Sequence, residues 1–376
     1  MRLKLAVIIA LLAAGYVALL LWERRRARAD RAAIAHVIHV NGTRGKSTVC
    51  RLIEAGLRAG GLRVFCKTTG TEPMTIDVHG EEKPVMRRGC ANIREQFAVL
   101  HSAAAQGAQA LVIECMALQP ELQRASERIL SADLAVITNV RFDHADIMGG
   151  TLEEICDSLC AMIPENGTLF TAERELCGRL AQNAAARRCE LAAVAPRGDE
   201  PDFDFAENIA LALAVCEAAG VARETALCGM RAYKPDPYCL SAYRLGGAVF
   251  INGMAANDVA STLLAYARAL EMLSVKPRRL ILLFNNRPDR AQRAEDMLRL
   301  CQSLSVAEVW LLGSNQRLMQ KKLRAAGTRS VRRFKSAAHV DFAALAEGDA
   351  VYAVGNIARE GKALVTRVAK EGVKLV

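Results

Sequence analysis

Val37-Ile-His-Val-Asn-Gly-Thr-Arg-Gly-Lys-Ser-Thr-Val49 sets a short apolar strand, a glycine-bearing turn and the first turn of a helix in line. Glycines in such a turn let successive backbone N–H groups converge on phosphate oxygens, and the helix that follows adds the positive end of its dipole. Gly42, Thr43, Arg44, Gly45, Lys46, Ser47 and Thr48 are therefore expected to cradle a nucleotide triphosphate. Lys46 would reach the β/γ-phosphates and the Ser47 hydroxyl would ligate Mg²⁺. The loop is a short form, with Val40 standing where the longer loop has its first glycine.

Outward from this loop, apolar runs alternate with amphipathic stretches. Strands are expected at 37–40, 64–66, 110–113, 134–138, 249–251, 280–284, 309–312 and 351–354, with helices between them such as 47–59, 93–106 and 206–219. That alternation predicts an α/β chain of parallel-rich sheets covered by helices. Two of the strands end in chemistry-bearing residues. Ile113 leads into Glu114, and the run ending at Ile137 leads into Thr138-Asn-Val-Arg-Phe-Asp-His-Ala-Asp146. Carboxylates at the C-terminal edge of such a sheet stand where α/β proteins bind ligands. A strand-terminal Glu alone is ordinary; beside the loop, Glu114 and His144 become candidate metal ligands with Ser47. His is an unusual choice for a cation as hard as Mg²⁺.

Leu5 to Trp22 is an uncharged run of 18 residues. At about 1.5 Å per residue it spans about 27 Å, enough to cross a bilayer. The flank after Trp22 holds Arg24, Arg25, Arg26, Arg28 and Arg31 and outweighs Arg2 and Lys4 before the run, which predicts a single-pass anchor with the body cytoplasmic. A cleaved signal peptide is the alternative, and arginines crowding Ala27-Arg28-Ala29 speak against it. The chain carries a net charge of +10, half of it within residues 1–31. The rest shows no basic stripe interleaved with aromatics, so nucleic acid is not an expected partner. Twelve cysteines include no C-x-x-C pair, which fits buried thiols in a reducing compartment. The Pro-containing stretch Tyr233-Lys-Pro-Asp-Pro-Tyr238 suggests a domain boundary. The expected division is an anchor and basic linker over 1–34, an ATP-binding domain over 35–240 and a C-terminal α/β domain over 241–376.

The short loop, the strand-terminal Glu114, the Asp143-His144-Ala-Asp146 loop, Ile163-Pro-Glu-Asn-Gly167 and Asn208-Ile-Ala-Leu-Ala212 occur in the order found in the Mur ligase superfamily, which the chain resembles. Asn41 to Thr48, Lys67-Thr-Thr-Gly-Thr71, Glu114-Cys-Met-Ala-Leu-Gln-Pro120, Phe250-Ile-Asn-Gly-Met-Ala-Ala-Asn-Asp258, Asn286-Arg-Pro-Asp-Arg290 and Gly355-Asn-Ile357 are similar to one branch, the CapB/PgsB family of poly-γ-glutamate synthase subunits. The resemblance implies a Mur-ligase-like central domain and a smaller Rossmann-like C-terminal domain. It implies ATP and Mg²⁺ as cofactors, with Lys46, Glu114 and His144 as catalytic residues. By position, Asn92, Asn252, Asn257, Asp258, Arg287 and Asp289 would contact the nucleotide, and Arg290 would help close the C-terminal domain on it. Thr69, Gly70, Thr71 and Arg94 would meet the substrate. Apart from the resemblance, the basic residues Arg87, Arg88 and Arg94 are candidates to hold an anionic chain, with solvated surface as the alternative.

The implied reaction joins a glutamate carboxylate, activated as acyl phosphate, to the amine of an incoming glutamate, building poly-γ-glutamate at the cell membrane. The implied partner is a multi-span membrane subunit of the CapC/PgsC type, together with other synthase or export subunits; a homo-oligomer is compatible with the resemblance. A folylpolyglutamate-type ligase, a nucleotide-gated membrane scaffold without catalysis and a P-loop kinase of capsule export are the rival readings. Two departures from the superfamily pattern stand out. No lysine occurs between Lys83 and Lys234, where many Mur ligases carry a carbamylated one, and Asn252-Gly-Met-Ala-Ala-Asn257 lacks a His found in the corresponding motif.

Overall fold

The computed structural model describes residues 2–375 apart from Thr71, Arg88, Cys90, Pro237, Asn257 and 288–292, with backbone alone for Arg2, Leu3, Arg293 and Ala294. The chain divides into two compact units, Met1–Pro235 and Asp236–Val376.

The first unit opens with α1 (Arg2–Ala32), whose side chains from Leu5 to Trp22 are exposed. The helix has a mean hydropathy of 2.6 over its most apolar window, long and apolar enough to cross a membrane. The basic stretch after Trp22 continues the same helix to Ala32. There follow β1 (His36–Asn41), α2 (Lys46–Ala59), β2 (Val64–Thr68), β3 (Met74–Ile76), β4 (Glu82–Pro84), α3 (Glu95–Ala105) and β5 (Ala110–Glu114). Next come α4 (Pro120–Leu130), β6 (Leu134–Ile137), α5 (Ala145–Met148), α6 (Leu152–Leu159), β7 (Thr168–Thr171), α7 (Cys177–Ala186), β8 (Glu190–Ala193), α8 (Ala206–Ala218) and α9 (Arg223–Arg231).

The strands form one sheet in the order β4-β3-β2-β5-β1-β6-β7-β8. It is parallel from β2 to β8, with the β3–β4 hairpin added antiparallel at the edge. Strand alternation sorts the core. Ile38, Val40, Val64, Cys66, Val112 and Val136 face α2 and α8 in one cluster. Val37, Phe65, Leu111 and Ile113 face α3 and the end of α1 in another. Each such fully buried aliphatic side chain contributes roughly 1.5–3 kcal/mol. In α2 the apolar positions Val49, Leu52, Ile53 and Leu57 recur at helical spacing, which fixes the side that packs on the sheet.

The second unit holds β9 (Ser241–Leu245), β10 (Ala248–Asn252), α10 (Val259–Leu273), β11 (Arg279–Asn286), α11 (Arg293–Ser303), β12 (Val306–Gly313), α12 (Gln316–Ala325), β13 (Val331–Arg333), β14 (Asp349–Gly355), α13 (Glu360–Glu371) and β15 (Val373–Lys374). Its sheet runs β13-β12-β11-β14-β10-β9-β15, parallel from β13 to β10. The strand order reverses between β11 and β14, the place where open α/β sheets present a crevice. Asn285 bridges that point, its Nδ2 donating to the carbonyl of Ala358 at 3.2 Å and to that of Asn356.

Candidate active site

The turn between β1 and α2 is built around two glycines with positive φ. At Gly42 (φ 125°) a Cβ would stand 2.1 Å from Thr138 Oγ1, and at Gly45 (φ 79°) 2.8 Å from Asn208 Oδ1. Only glycine meets both demands. The loop after β6 holds the turn from behind. Thr43 N donates to Asn139 O and Arg44 N to Asn139 Oδ1, both at 3.0 Å, while Thr138 Oγ1 donates to Arg44 O at 2.6 Å. From α8, Asn208 is itself held by Asp204 at 2.9 Å, and Asp204 also takes the Tyr233 hydroxyl at 2.6 Å. The rigid turn leaves the first N–H groups of α2 aimed outward with no side-chain cap. Lys46 Nζ folds back onto the carbonyls of Gly42 at 2.8 Å and Thr43 at 3.4 Å.

Glu114, only 2% exposed at the end of β5, meets this loop. Its Oε2 accepts the Ser47 hydroxyl at 2.7 Å and the backbone N–H of Thr69 at 2.6 Å. The adjacency follows from strand order, because β1, carrying the loop, lies beside β5, and β5 lies beside β2, which leads into Thr69 and Gly70. Asp143 and His144 sit on the opposite flank of the loop. Asp143 Oδ2 pairs with Arg44 Nη1 at 2.8 Å and lies 3.7 Å from His144 Nε2, and His144 has a positive φ of 47°. Among the described residues no three His, Cys, Asp or Glu side chains converge as a metal cage. Ser47 and Glu114 converge as a pair of oxygens.

Asn92 and Arg94 lie in the segment before α3. Asn92 Oδ1 accepts the Arg94 N–H at 2.9 Å, and Arg94 pairs with Glu23 of α1 at 2.5 Å. Arg87 makes a fork on Glu95, at 2.7 and 3.0 Å. Burial pushes the Glu95 carboxyl up, but Arg87 and the Asn92 N–H outweigh it and hold the group below the usual range. In the second unit, Asn252 is fully buried and donates to the carbonyls of Cys239 at 3.0 Å and Tyr238 at 3.3 Å. Asp258 caps α10, accepting Ser261 N at 2.8 Å. Arg287 directly follows β11. Thr71, Asn257, Asp289 and Arg290, assigned roles from the sequence, lie outside the described residues, as does Arg88.

A model of the Mur ligase middle domain matches residues 40–212, and one of the poly-gamma-glutamate synthase CapB C-terminal domain matches 241–371. The capsule biosynthesis protein CapB of Bacillus anthracis is 38% identical over 295 residues, which cover 74% of this chain and 63% of that protein. The PGA synthase CapB of Bacillus subtilis (strain 168) is 36% identical over 308 residues, covering 77% of this chain and 78% of that one. The chain belongs to the CapB family. Among solved structures, Escherichia coli FolC in complex with ADP superposes with a TM-score of 0.68 at 17% identity, over 92% of this chain and 94% of that one. A folylpolyglutamate synthase/dihydrofolate synthase from Yersinia pestis, complexed with AMPPNP and a Mn ion, gives 0.66 at 16% identity, over 93% and 92%. At that identity these two speak for the fold.

In this CapB-family chain the Mur-type match takes in the phosphate loop, Glu114 and His144 together. It also takes in a residue to which the sequence reading gave no role. Lys67, at the end of β2, is fully buried, with Nζ 3.6 Å from Met116 Sδ and 3.8 Å from Glu95 Oε2. Burial pushes its ammonium below the ordinary lysine value, against the pull of Glu95 and Glu114. A lysine inside the apolar strand Val64–Thr68 was the available signal, since a buried amine needs a reason.

Proposed function

We propose that the chain is an ADP-forming ligase that activates a glutamate carboxylate with ATP and couples it to the amine of a second glutamate, lengthening poly-γ-glutamate at a membrane. The observation that carries the reading is the meeting of Ser47 and Glu114 at 2.7 Å beside the phosphate loop. In octahedral coordination at about 2.1 Å, neighbouring oxygen ligands stand about 3 Å apart, so this pair fits a hard divalent cation such as Mg²⁺. Such a cation, when bound, neutralises charge on the phosphoryl oxygens of ATP.

The chain's own groups do the rest. The N–H groups at the start of α2 hold the phosphates, and Lys46 leaves the Gly42 and Thr43 carbonyls to follow the γ-phosphoryl group. A carboxylate oxygen attacks the γ-phosphorus and ADP departs. The incoming amine then attacks the acyl carbon, loses a proton, and the C–O bond to phosphate breaks as the amide forms. Thr69 and Gly70, tied to Glu114 through the Thr69 N–H, border the acceptor side, and His144 lines the flank held by Asp143 and Arg44.

The exposed apolar helix α1 supports a single-pass location with the body on the cytoplasmic side, beside a multi-span partner of the CapC/PgsC type that offers the polymer a path. A folylpolyglutamate-type substrate is the second reading, favoured by the fold neighbours.

Membranes carrying the full chain and such a partner are expected to release ADP on addition of glutamate and not of a pteridine. Lys46→Ala should abolish that release, since losing one charge contact on the transferring group costs about 10²–10³-fold or more in rate. Glutamate-dependent turnover retained in Lys46→Ala would sink the assignment, and ATP binding without glutamate-stimulated ADP release in the parent chain would favour a scaffold.

A further inference from the structure

The last residues of the first unit are fastened to the phosphate loop. Helix α9 lies close on α2: a Cβ at Gly229 would stand 2.4 Å from the Ala55 carbonyl oxygen, and one at Gly56 would stand 2.9 Å from Met230 Cε. The small residues let the two helices approach, which fixes where the chain emerges from α9. Two residues past the end of α9, Tyr233 brings its hydroxyl to Asp204 Oδ2 at 2.6 Å. The next residue, Lys234, accepts Arg51 Nη1 of α2 on its carbonyl at 3.1 Å. Arg51 is only 1% exposed and stands about one turn after Ser47. The second unit begins at Asp236.

Asp204 passes the contact on. Its Oδ1 accepts the Phe205 N–H at 2.8 Å and Asn208 Nδ2 at 2.9 Å. An ionised carboxylate only accepts hydrogen bonds, so the buried Asn208 amide turns its nitrogen to Asp204 and its oxygen the other way. That oxygen is the atom 2.8 Å from the place of a Gly45 Cβ. Gly45, with its left-handed φ of 79°, immediately precedes the first residue of α2. Asn208 is therefore a stop against which the turn rests, and Asp204 and Tyr233 set how firmly the stop is held.

We propose that Tyr233 and Asp204 are positioning residues for nucleotide binding, and that they couple the phosphate loop to the segment through which the chain leaves the first unit. They act through Asn208, which keeps Gly45 and the first N–H groups of α2 in place before the phosphates arrive. Consecutive residues tie the segment to both parts of the nucleotide element, Tyr233 to the loop through Asp204 and Lys234 to α2 through Arg51. Coupling of this kind is reciprocal: whatever the relay adds to nucleotide affinity, bound nucleotide adds to the hold on residues 232–234. The inference rests on the phosphate loop binding a nucleotide, as proposed above.

The test uses the full chain in detergent with ADP and Mg²⁺, and two measurements. One is ADP titration. The other is hydrogen–deuterium exchange of the Ala232 and Tyr233 amides, which donate to the carbonyls of Gly229 at 3.1 Å and Met230 at 3.2 Å. Tyr233→Phe keeps the ring and removes the hydroxyl. It is expected to weaken ADP binding by about fivefold or more. ADP should slow exchange of the two amides in the parent and not in Tyr233→Phe. Asp204→Asn frees the Asn208 amide to turn and should weaken ADP comparably. Adding Tyr233→Phe to it should weaken ADP little further, because both residues act along one path. A Tyr233→Phe chain that melts lower yet binds ADP as the parent does would make Tyr233 a packing residue and overturn the proposal. Additive losses in the double variant would overturn the relay, and exchange in the parent that ignores ADP would overturn the coupling. A parent chain that binds no ADP would remove the nucleotide reading, and the inference with it.

Discussion

The Ser47 hydroxyl and the Thr69 backbone N–H converge on one oxygen of Glu114, at 2.7 and 2.6 Å. One carboxylate thereby ties the phosphate loop to the loop after β2. Glu114→Gln keeps the shape and removes the charge. It is expected to lower glutamate-dependent ADP release by about 10²–10³-fold with little change in the melting temperature. Turnover within a few-fold of the parent would take Glu114 out of the reacting centre.

The phosphate loop depends on Gly45 in two separable ways. Its positive φ strains any L side chain, and the Asn208 side chain at 2.8 Å leaves no room for a Cβ. Gly45→Ala should cost about 1–3 kcal/mol of stability from backbone strain and crowding and weaken nucleotide binding. Asn208→Ala in the same chain should recover the crowding part and leave the strain. Thermal melting and nucleotide titration of the single and double variants read the two parts separately.

Beneath the loop, His39 is fully buried, its Nδ1 3.0 Å from Glu127 Oε2. Burial alone would lower its pKa, but contacts with Cys115 and Glu127 outweigh that and lift it from 6.5 to about 9. The folded chain holds this proton more tightly than the unfolded chain. The stabilisation is therefore full below about pH 6.5 and is lost as pH rises through about 9. The melting temperature of the detergent-solubilised chain is expected to fall across that window. His39→Gln should flatten the fall while costing about 3–5 kcal/mol, because Glu127 is left buried without its cation. His39→Gln combined with Glu127→Gln should regain most of that loss.

Lys67 offers the converse case, a buried amine whose pairing is loose. Lys67→Met keeps its length and removes its charge. Stability should hold or rise, as it often does when a poorly compensated buried charge is replaced. Turnover should drop by about ten-fold or more if the ammonium orients groups at the reacting centre. Unchanged kcat and KM would leave Lys67 a packing residue.

Local chemistry made much of the centre legible in the sequence. Gly42, Gly45, Lys46 and Ser47 announce a phosphate loop because the glycine conformations and the helix start are properties of adjacent residues. The runs at 37–40, 110–113 and 280–284 announce buried parallel strands because a strand covered on both faces is apolar throughout. The hairpin of β3 and β4 was not legible, since its residues are half-exposed and short. The sequence does not show the ion pairs that Arg94 and Arg87 make with Glu23 and Glu95. Charge in a sequence does not name its partner.

The sequence by itself determined the two sheets, the phosphate loop, the apolar helix at the N-terminus and the family. Each of these is written in neighbouring residues or in a simple period. Tertiary structure alone decided that Glu114 shares an oxygen between Ser47 and Thr69, that Lys67 is sealed beside Glu95, and that Glu23 pairs with Arg94. These pairs are far apart in the chain, and their distances are set by strand order and by the packing of α1 on α3. No local rule of sequence encodes either.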